Sequence, residues 1–332
     1  MNISVIYPAS SYFEFPPNDD IHSLSRFFSI DNLPPIPRTK YKEFMELVTH
    51  RKNPILIAWR GGRIDNADTH KSSIELIQLL TDEDYNAIRN NNVQIVGLSD
   101  ISFLHCSLLS HQIESYYGPN INSSFLDSNA TERKIMFSYL SQALQGDSFS
   151  ISFVSPELNP HSNVPWVFSE GKEYGRVSGG NLDTICEIIK RFGPTQTGIL
   201  PGDILFLEEN HPIYSLSNGS ITQSQMYNNL MLLKTSGILS DISGLILGRS
   251  NIPRVFDLEN DLLYEPITNE VERKYLALVL RELDIGKIPI IANVPCGHTK
   301  PTVTLPLGRR ALMDTMSMTL TYDALASPNA KL

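Results

Sequence analysis

A chain of 332 residues, 41% hydrophobic and 19% charged, carries enough apolar sequence for two folded cores and is neither disordered nor fibrous in composition. Its formal net charge of −9 argues against a nucleic-acid binder, which presents a basic face to phosphates. Three widely spaced cysteines (Cys106, Cys186, Cys296), no basic-then-apolar leader and no apolar run near the roughly 20 residues that span a bilayer point to a cytoplasmic protein without a disulfide framework or membrane partner.

Ile3 to Tyr7 is a short apolar run stopped by Pro8 and reads as a buried strand. The prolines at 16, 17, 34, 35 and 37 mark an irregular connection. Phe44, Met45, Leu47 and Val48 predict a helix over Lys40 to His50. A second buried strand, Ile55 to Trp59, ends in Arg60-Gly61-Gly62. A helix over Ser72 to Leu80 and a cap at Thr81-Asp82-Glu83-Asp84 lead to a third strand, Val93 to Val96, followed by Gly97-Leu98-Ser99-Asp100. Ile101, Leu104, Leu108 and Leu109 then recur at helical spacing. Strands alternating with helices predict a parallel sheet covered on both faces. A further helix spans Thr131 to Gln145.

The Ser-, Asn- and Pro-rich stretch after Gly146 predicts a connection between domains. The expected organisation is an N-terminal α/β domain over 1–147, a linker over 148–175 and a C-terminal domain over 176–326. The second half mixes signals: helices over Asn181 to Lys190, from a cap at Ser220 to Lys234, and over Glu270 to Leu283. Strands are expected at Ile204 to Leu207, Ile242 to Gly248, Ile288 to Val294 and Met318 to Tyr322.

A strand turning sharply into a helix at Gly97-Leu98-Ser99-Asp100 projects a hydroxyl at the carboxyl edge of the sheet, beside helix amides that favour negative charge. This is the geometry of a nucleophile elbow, although Ile101 departs from GxSxG and a Ser-Asp pair after a strand also serves as a plain helix cap. The amides of Gly61 or Gly62 and of Asp100 are candidate oxyanion donors; paired glycines also make ordinary tight turns. A hydroxyl needs a base. Among eight histidines, His298 in Pro295-Cys296-Gly297-His298-Thr299 has the most suggestive setting, with His211 second; His105 and His111 lie on the helix after Ser99. Glu208, at the end of an apolar strand, is placed to orient an imidazole, or is a solvated strand end. Cys296 is an alternative nucleophile or a buried thiol. No HExxH, histidine cluster or carboxylate cage suggests a metal.

Seven blocks in order resemble the serine peptidase family of the LD-carboxypeptidases and microcin-immunity hydrolases. They are Arg60-Gly61-Gly62, Ile95 to Asp100, Tyr117-Gly118-Pro119, Ser178-Gly179-Gly180-Asn181-Leu182, Ile204 to Glu208, Gly244 to Gly248, and Gly297-His298-Thr299 through Leu305 to Gly308. The resemblance implies a Ser-His-Glu triad of Ser99, His298 and Glu208, with the Gly62 and Asp100 amides as oxyanion hole. It implies a parallel-sheet α/β domain carrying the nucleophile elbow, followed by a mixed α/β domain of swivelling β/α barrel type, assembled as a homodimer. The implied reaction is cleavage of a peptide-type amide bond in a small peptide or peptide–nucleotide conjugate, without metal or organic cofactor. Trimming of a terminal D-residue from cell-wall tetrapeptides is the second reading, and a silent peptide-binding relative the third. Glu209 stands where the family often has aspartate. Of the tryptophan-bearing insertion only Trp166 remains, placed to line the substrate pocket.

Overall fold

The computed structural model describes residues 1–6, 24–30, 41–49, 52–59, 69–159, 164–209, 213–217, 220–250, 269–285 and 287–325. The first half builds a parallel sheet from β1 (Asn2–Ile6), β2 (Ser29–Ile30), β3 (Ile55–Ala58), β4 (Gln94–Gly97) and β5 (Ser115–Tyr117), in the order β2-β1-β3-β4-β5. Around it lie α1 (Tyr41–Thr49), α2 (Thr69–Leu79), α3 (Asp82–Asn90), α4 (Ser102–Ser110) and α5 (Ala130–Gln145). The expected cap of α3 is a capping box: Thr81 Oγ1 accepts from the Asp84 amide, and the Asp84 carboxylate accepts from the Thr81 amide at 2.9 Å.

The helical spacing of Ile101, Leu104, Leu108 and Leu109 marks part of the buried surface of the helix after Ser99. Almost the whole of α4 is buried. Phe103 and Cys106 join the core of the second half, Leu104 and Leu108 the core under α1 and α3, and Leu109 the layer between the sheets. A helix apolar all round belongs inside. The structure therefore wedges the helix that follows Ser99 between both halves of the molecule.

The second half forms an eight-stranded mixed sheet. Its strands are β6 (Phe149–Ser152), β7 (Trp166–Ser169), β8 (Lys172–Asn181), β9 (Ile204–Glu208), β12 (Gly244–Gly248), β13 (Ile290–Val294), β15 (Arg310–Asp314) and β16 (Thr319–Tyr322). The order is β6-β16-β15-β8-β9-β12-β13-β7, with β8, β9, β12 and β13 parallel and the outer pairs antiparallel. The stretch expected as a linker thus supplies both edge strands, β6 and β7. Helices α6 (Leu182–Phe192), α7 (Gln225–Thr235) and α8 (Asn269–Leu283) cover one face. The expected cap at Ser220 is displaced: β10 (Tyr214–Ser217) and β11 (Ser220–Gln223) pair antiparallel, and Ser224 stands at the start of α7.

Strand β9 explains why its sequence is continuously apolar. Leu205 and Leu207 face the helices, whereas Ile204 and Phe206 face the layer shared with Tyr117, Leu305 and Tyr322. Each such buried side chain contributes about 1.5–3 kcal/mol. The halves are further joined by β14 (Leu305–Leu307), a strand from the C-terminal region that pairs antiparallel with β5. No helix among the described residues is long and apolar enough to cross a membrane.

Candidate active site

Ser99 lies just beyond the carboxyl end of β4, on a short 3-10 turn (Ser99–Ile101) that runs into α4. Its φ is +67°, in the left-handed region that costs a non-glycine residue about 1–3 kcal/mol unless its surroundings enforce it. Those surroundings are visible. Gly97 packs flat on β3 and the turn: a Cβ there would sit 2.9 Å from Ala58 Cβ and 2.9 Å from Ile101 Cγ1. The Gly97 carbonyl accepts from His105 Nε2 at 3.1 Å and from the Gly118 amide at 3.1 Å. The Ser99 amide donates to Tyr117 Oη at 3.1 Å. His105 is a core residue; burial pushes its pKa down to about 4, so the ring is neutral, and its Nδ1 lies 2.8 Å from Ser115 Oγ.

Glu208 is the last residue of β9 and is 1% exposed. Its Oε2 faces His298 Nδ1 at 2.9 Å and the His298 amide at 3.4 Å; its Oε1 accepts from Tyr117 Oη at 2.6 Å and from Asn181 Nδ2 at 3.0 Å. Burial alone would raise the Glu208 pKa, but the facing His298 and these hydrogen bonds outweigh it and hold the carboxylate below its ordinary range. For His298 burial disfavours the charged ring, yet Glu208, with smaller help from Glu209 and Asp100, raises its pKa above the ordinary value. With Nδ1–H given to Glu208, Nε2 is the nitrogen left to accept a proton. Ser99 and His298 are partly exposed while Glu208 is buried.

His298 reaches this position because Gly297 precedes it. Gly297 has φ +99°, and any Cβ there would press directly against Glu208 Oε2. The Gly297 amide donates to Thr302 Oγ1 at 3.1 Å, and Lys300 ties the loop to the first half through the Asp127 carbonyl at 2.7 Å and its carboxylate.

Ser99 and Tyr117 thus hang from the carboxyl ends of β4 and β5, Asn181 and Glu208 from those of β8 and β9, and His298 follows β13. Ligands of α/β sheets bind at this edge. One chain of hydrogen bonds runs from the Ser99 amide through Tyr117 and Glu208 to the His298 ring.

Trp166 sits on the edge strand β7 opposite Ala292 and lines a narrow crevice with Glu209, Gly248 and Asn293, beside the base of Glu208. Arg60, Gly61, Gly62, His161 and His211 lie outside the described residues. His111 stacks on Tyr85, with ring centroids 3.5 Å apart, away from Ser99's partners. Cys296 is fully buried, and burial pushes its thiol well above the ordinary range, so it is no nucleophile. A cavity of about 740 Å³ between β7 and α8 touches none of Ser99, Glu208 and His298. Tyr117 and Asn181 stand in the sequence blocks without any role; the partner that brings each to the site, Glu208, is far away in the chain, and the only local signal is that Asn181 caps α6 by accepting from the Thr184 amide at 3.0 Å.

The sequence matches the LD-carboxypeptidase N-terminal domain over residues 32–118 and the LD-carboxypeptidase C-terminal domain over residues 174–313. The chain belongs to the LD-carboxypeptidase family. Curated relatives include the Microcin C7 self-immunity protein MccF of Escherichia coli, 25% identical over 83% of this chain and 76% of its own. Another is a probable murein peptide carboxypeptidase of Bacillus subtilis, 27% identical over 74% of this chain and 68% of its own. Among solved structures, MccF in complex with glutamyl sulfamoyl guanosine matches with a TM-score of 0.70 at 22% identity, covering 98% of this chain and 97% of that one. The muramoyltetrapeptide carboxypeptidase from Oxalobacter formigenes matches with a TM-score of 0.69 at 23% identity, covering 98% and 100%. These structural likenesses establish a shared two-domain fold.

Proposed function

We propose that the protein is a serine peptidase or amidohydrolase that cleaves a peptide-type amide bond by acyl transfer. The observation that carries this reading is the strained Ser99 turn linked by hydrogen bonds to His298 through the buried Glu208. His298 Nε2 takes the Ser99 proton as Oγ attacks the carbonyl carbon. Glu208 keeps the imidazole in the useful tautomer and stabilises its charged form. The Asp100 amide, at the start of the helical turn, and the Gly62 amide receive the oxyanion; each such donor contributes about 3–4 kcal/mol in the transition state. His298 then returns its proton to the leaving amine, and water releases the acyl group by the reverse sequence.

The substrate class we favour is a small peptide or a peptide–nucleotide conjugate, as for an immunity hydrolase; the longer match to MccF supports it. The second reading, trimming of a terminal D-residue from a cell-wall tetrapeptide, draws on the likeness to murein peptide carboxypeptidases. In the proposed setting Trp166 lines the pocket, and the enzyme works in the cytoplasm as a homodimer, which light scattering after gel filtration would test.

The deciding experiment offers wild type and Ser99→Ala a tetrapeptide ending in D-alanine and an aminoacyl sulfamoyl adenosine, with products read by mass spectrometry. Cleavage of one by wild type alone supports the mechanism and selects the branch. Cleavage of neither, together with no labelling of Ser99 by a fluorophosphonate probe, overturns the hydrolase reading in favour of a silent peptide-binding relative.

A further inference from the structure

We propose that Tyr117 is a positioning residue of this centre, its single hydroxyl fixing both the carboxylate that orients His298 and the turn that presents Ser99. The inference rests on the Ser-His-Glu reading above and adds a fourth member to it.

A phenol has one proton to give and lone pairs to receive. Tyr117 Oη lies 2.6 Å from Glu208 Oε1, an acceptor only, so its proton goes there. The same oxygen therefore accepts the Ser99 amide at 3.1 Å. Both valences of the hydroxyl are spent on the site. Burial, and after it the adjacent Glu208 carboxylate, holds the phenol far above its ordinary pKa, so the proton stays on the tyrosine.

Two consequences follow. The Ser99 amide is committed to Tyr117 and is not an oxyanion donor. The two oxygens of Glu208 are also divided: Oε1 takes Tyr117 and Asn181, while Oε2 takes the His298 ring and amide. Donors on Oε1 draw charge from the oxygen that faces His298 and so limit how basic the ring becomes.

A buried tyrosine always seeks a partner, and any carbonyl would serve. Here the partners lie on opposite sides of the domain junction: Ser99 belongs to the parallel sheet and Glu208 to the mixed sheet. The ring is locked between them, edge-on to Phe206 at 5.1 Å and tilted against His105 at 5.8 Å, and is 0% exposed. Such packing spends little of the hydroxyl's hydrogen bonding on mobility and keeps the two halves of the site in register.

The test uses full-length Tyr117→Phe, which keeps the ring, and Tyr117→3-fluorotyrosine, which keeps the shape and makes the phenol a stronger donor. The His298 ring is titrated by nitrogen-15 NMR, assigned with His298→Gln. Tyr117→Phe is expected to raise the His298 pKa and to move the acid limb of kcat/KM upward with it. In the same variant kcat falls about 10–100-fold with KM within about threefold. The fluorinated variant shifts the His298 pKa the opposite way. A His298 titration that is unmoved in both variants overturns the proposal and leaves Tyr117 a core residue. Because the titration needs no turnover, it tests this role even where wild type cuts neither substrate and the hydrolase reading itself fails.

Discussion

The two halves of the candidate site are held by different physics. Ser99 is positioned by a left-handed φ on one helical turn between β4 and α4, a conformation enforced by the packing of Gly97 on β3 and by one hydrogen bond to Tyr117. Glu208 and His298 are positioned by hydrogen bonds among residues drawn from β5, β8, β9 and the loop after β13. A strained turn held by close packing sets the first half; a buried polar network sets the second. The first half can therefore lose its reactive atom without disturbing the fold, whereas the second responds to any change in its partners. The sharpest separation comes from Ser99→Ala. Removing Oγ is expected to cost about 10⁴-fold or more in kcat, with unfolding free energy changed by less than about 0.5 kcal/mol. Initial rates and a denaturant titration check both parts.

Glu208→Gln attacks the other half. The variant keeps the size of the side chain but removes the charge that raises the His298 pKa and replaces one of the two acceptor oxygens by an NH2, so four donors compete for one oxygen and the His298 tautomer is no longer fixed. The expected loss is about 10³–10⁴-fold in kcat. The His298 pKa is expected to fall, the reverse of the Tyr117→Phe shift. A Glu208→Gln enzyme with near-normal kcat would mean that the two halves do not work together.

The same contrast governs what was legible in the sequence. The parallel sheet was readable because buried strands such as Ile55 to Ala58 and Gln94 to Gly97 alternate with helical spacing. The turn at Ser99 was readable because strand, glycine and helix follow one another directly in the chain from Gln94 to Leu109, although the contacts that hold it, from Ala58 and Tyr117, come from elsewhere. The edges of the mixed sheet were not. Strands β6 and β7 read as a connection because their short apolar stretches stand among the prolines at 156, 160 and 165 and many serines and asparagines, and β8 is a strand despite Gly179-Gly180 because β9 pairs with it there while β15 pairs with its first half. The hairpin of β10 and β11 is likewise polar enough that Ser220 passed for a helix cap. At the site, Glu208 and His298 were found by resemblance more than by local pattern. The roles of Tyr117 and Asn181 escaped because their hydrogen bonds to Glu208 span 91 and 27 residues, and locally Asn181 reads only as a helix cap.

Gly297→Ala probes the junction of strain and network at one position. The substitution meets a φ of +99° and a Cβ pressed against Glu208 Oε2, so the loop must shift or Glu208 must turn away from His298. The expected outcome is a loss of about 1–3 kcal/mol in stability and about 10–100-fold in kcat. Full activity in this variant would show that the His298 loop tolerates displacement and that the network is looser than its distances imply.

The smallest effect is the most specific, because stability and activity depend on the same pair with opposite signs. The folded-state pKa of His298 is raised, so its contribution to stability is full below the unfolded value of about 6.5 and is lost as pH rises through the folded value. The folded-state pKa of Glu208 is lowered, so its contribution is present above about 4.3 and is lost as pH falls through the folded value. The ion pair is therefore most stabilising between about pH 4.5 and 6.5, where His298 is protonated and unable to accept the Ser99 proton. Catalysis by this mechanism rises only as pH passes the raised His298 pKa, into the range where the stabilisation fades. The difference in Tm between wild type and His298→Gln is expected to be larger at pH 5.5 than at pH 8.5, while wild-type kcat/KM runs the other way. A Tm difference that does not change with pH would mean that the pair is not charged in the folded protein, and that the second half of the site is held by neutral hydrogen bonds alone.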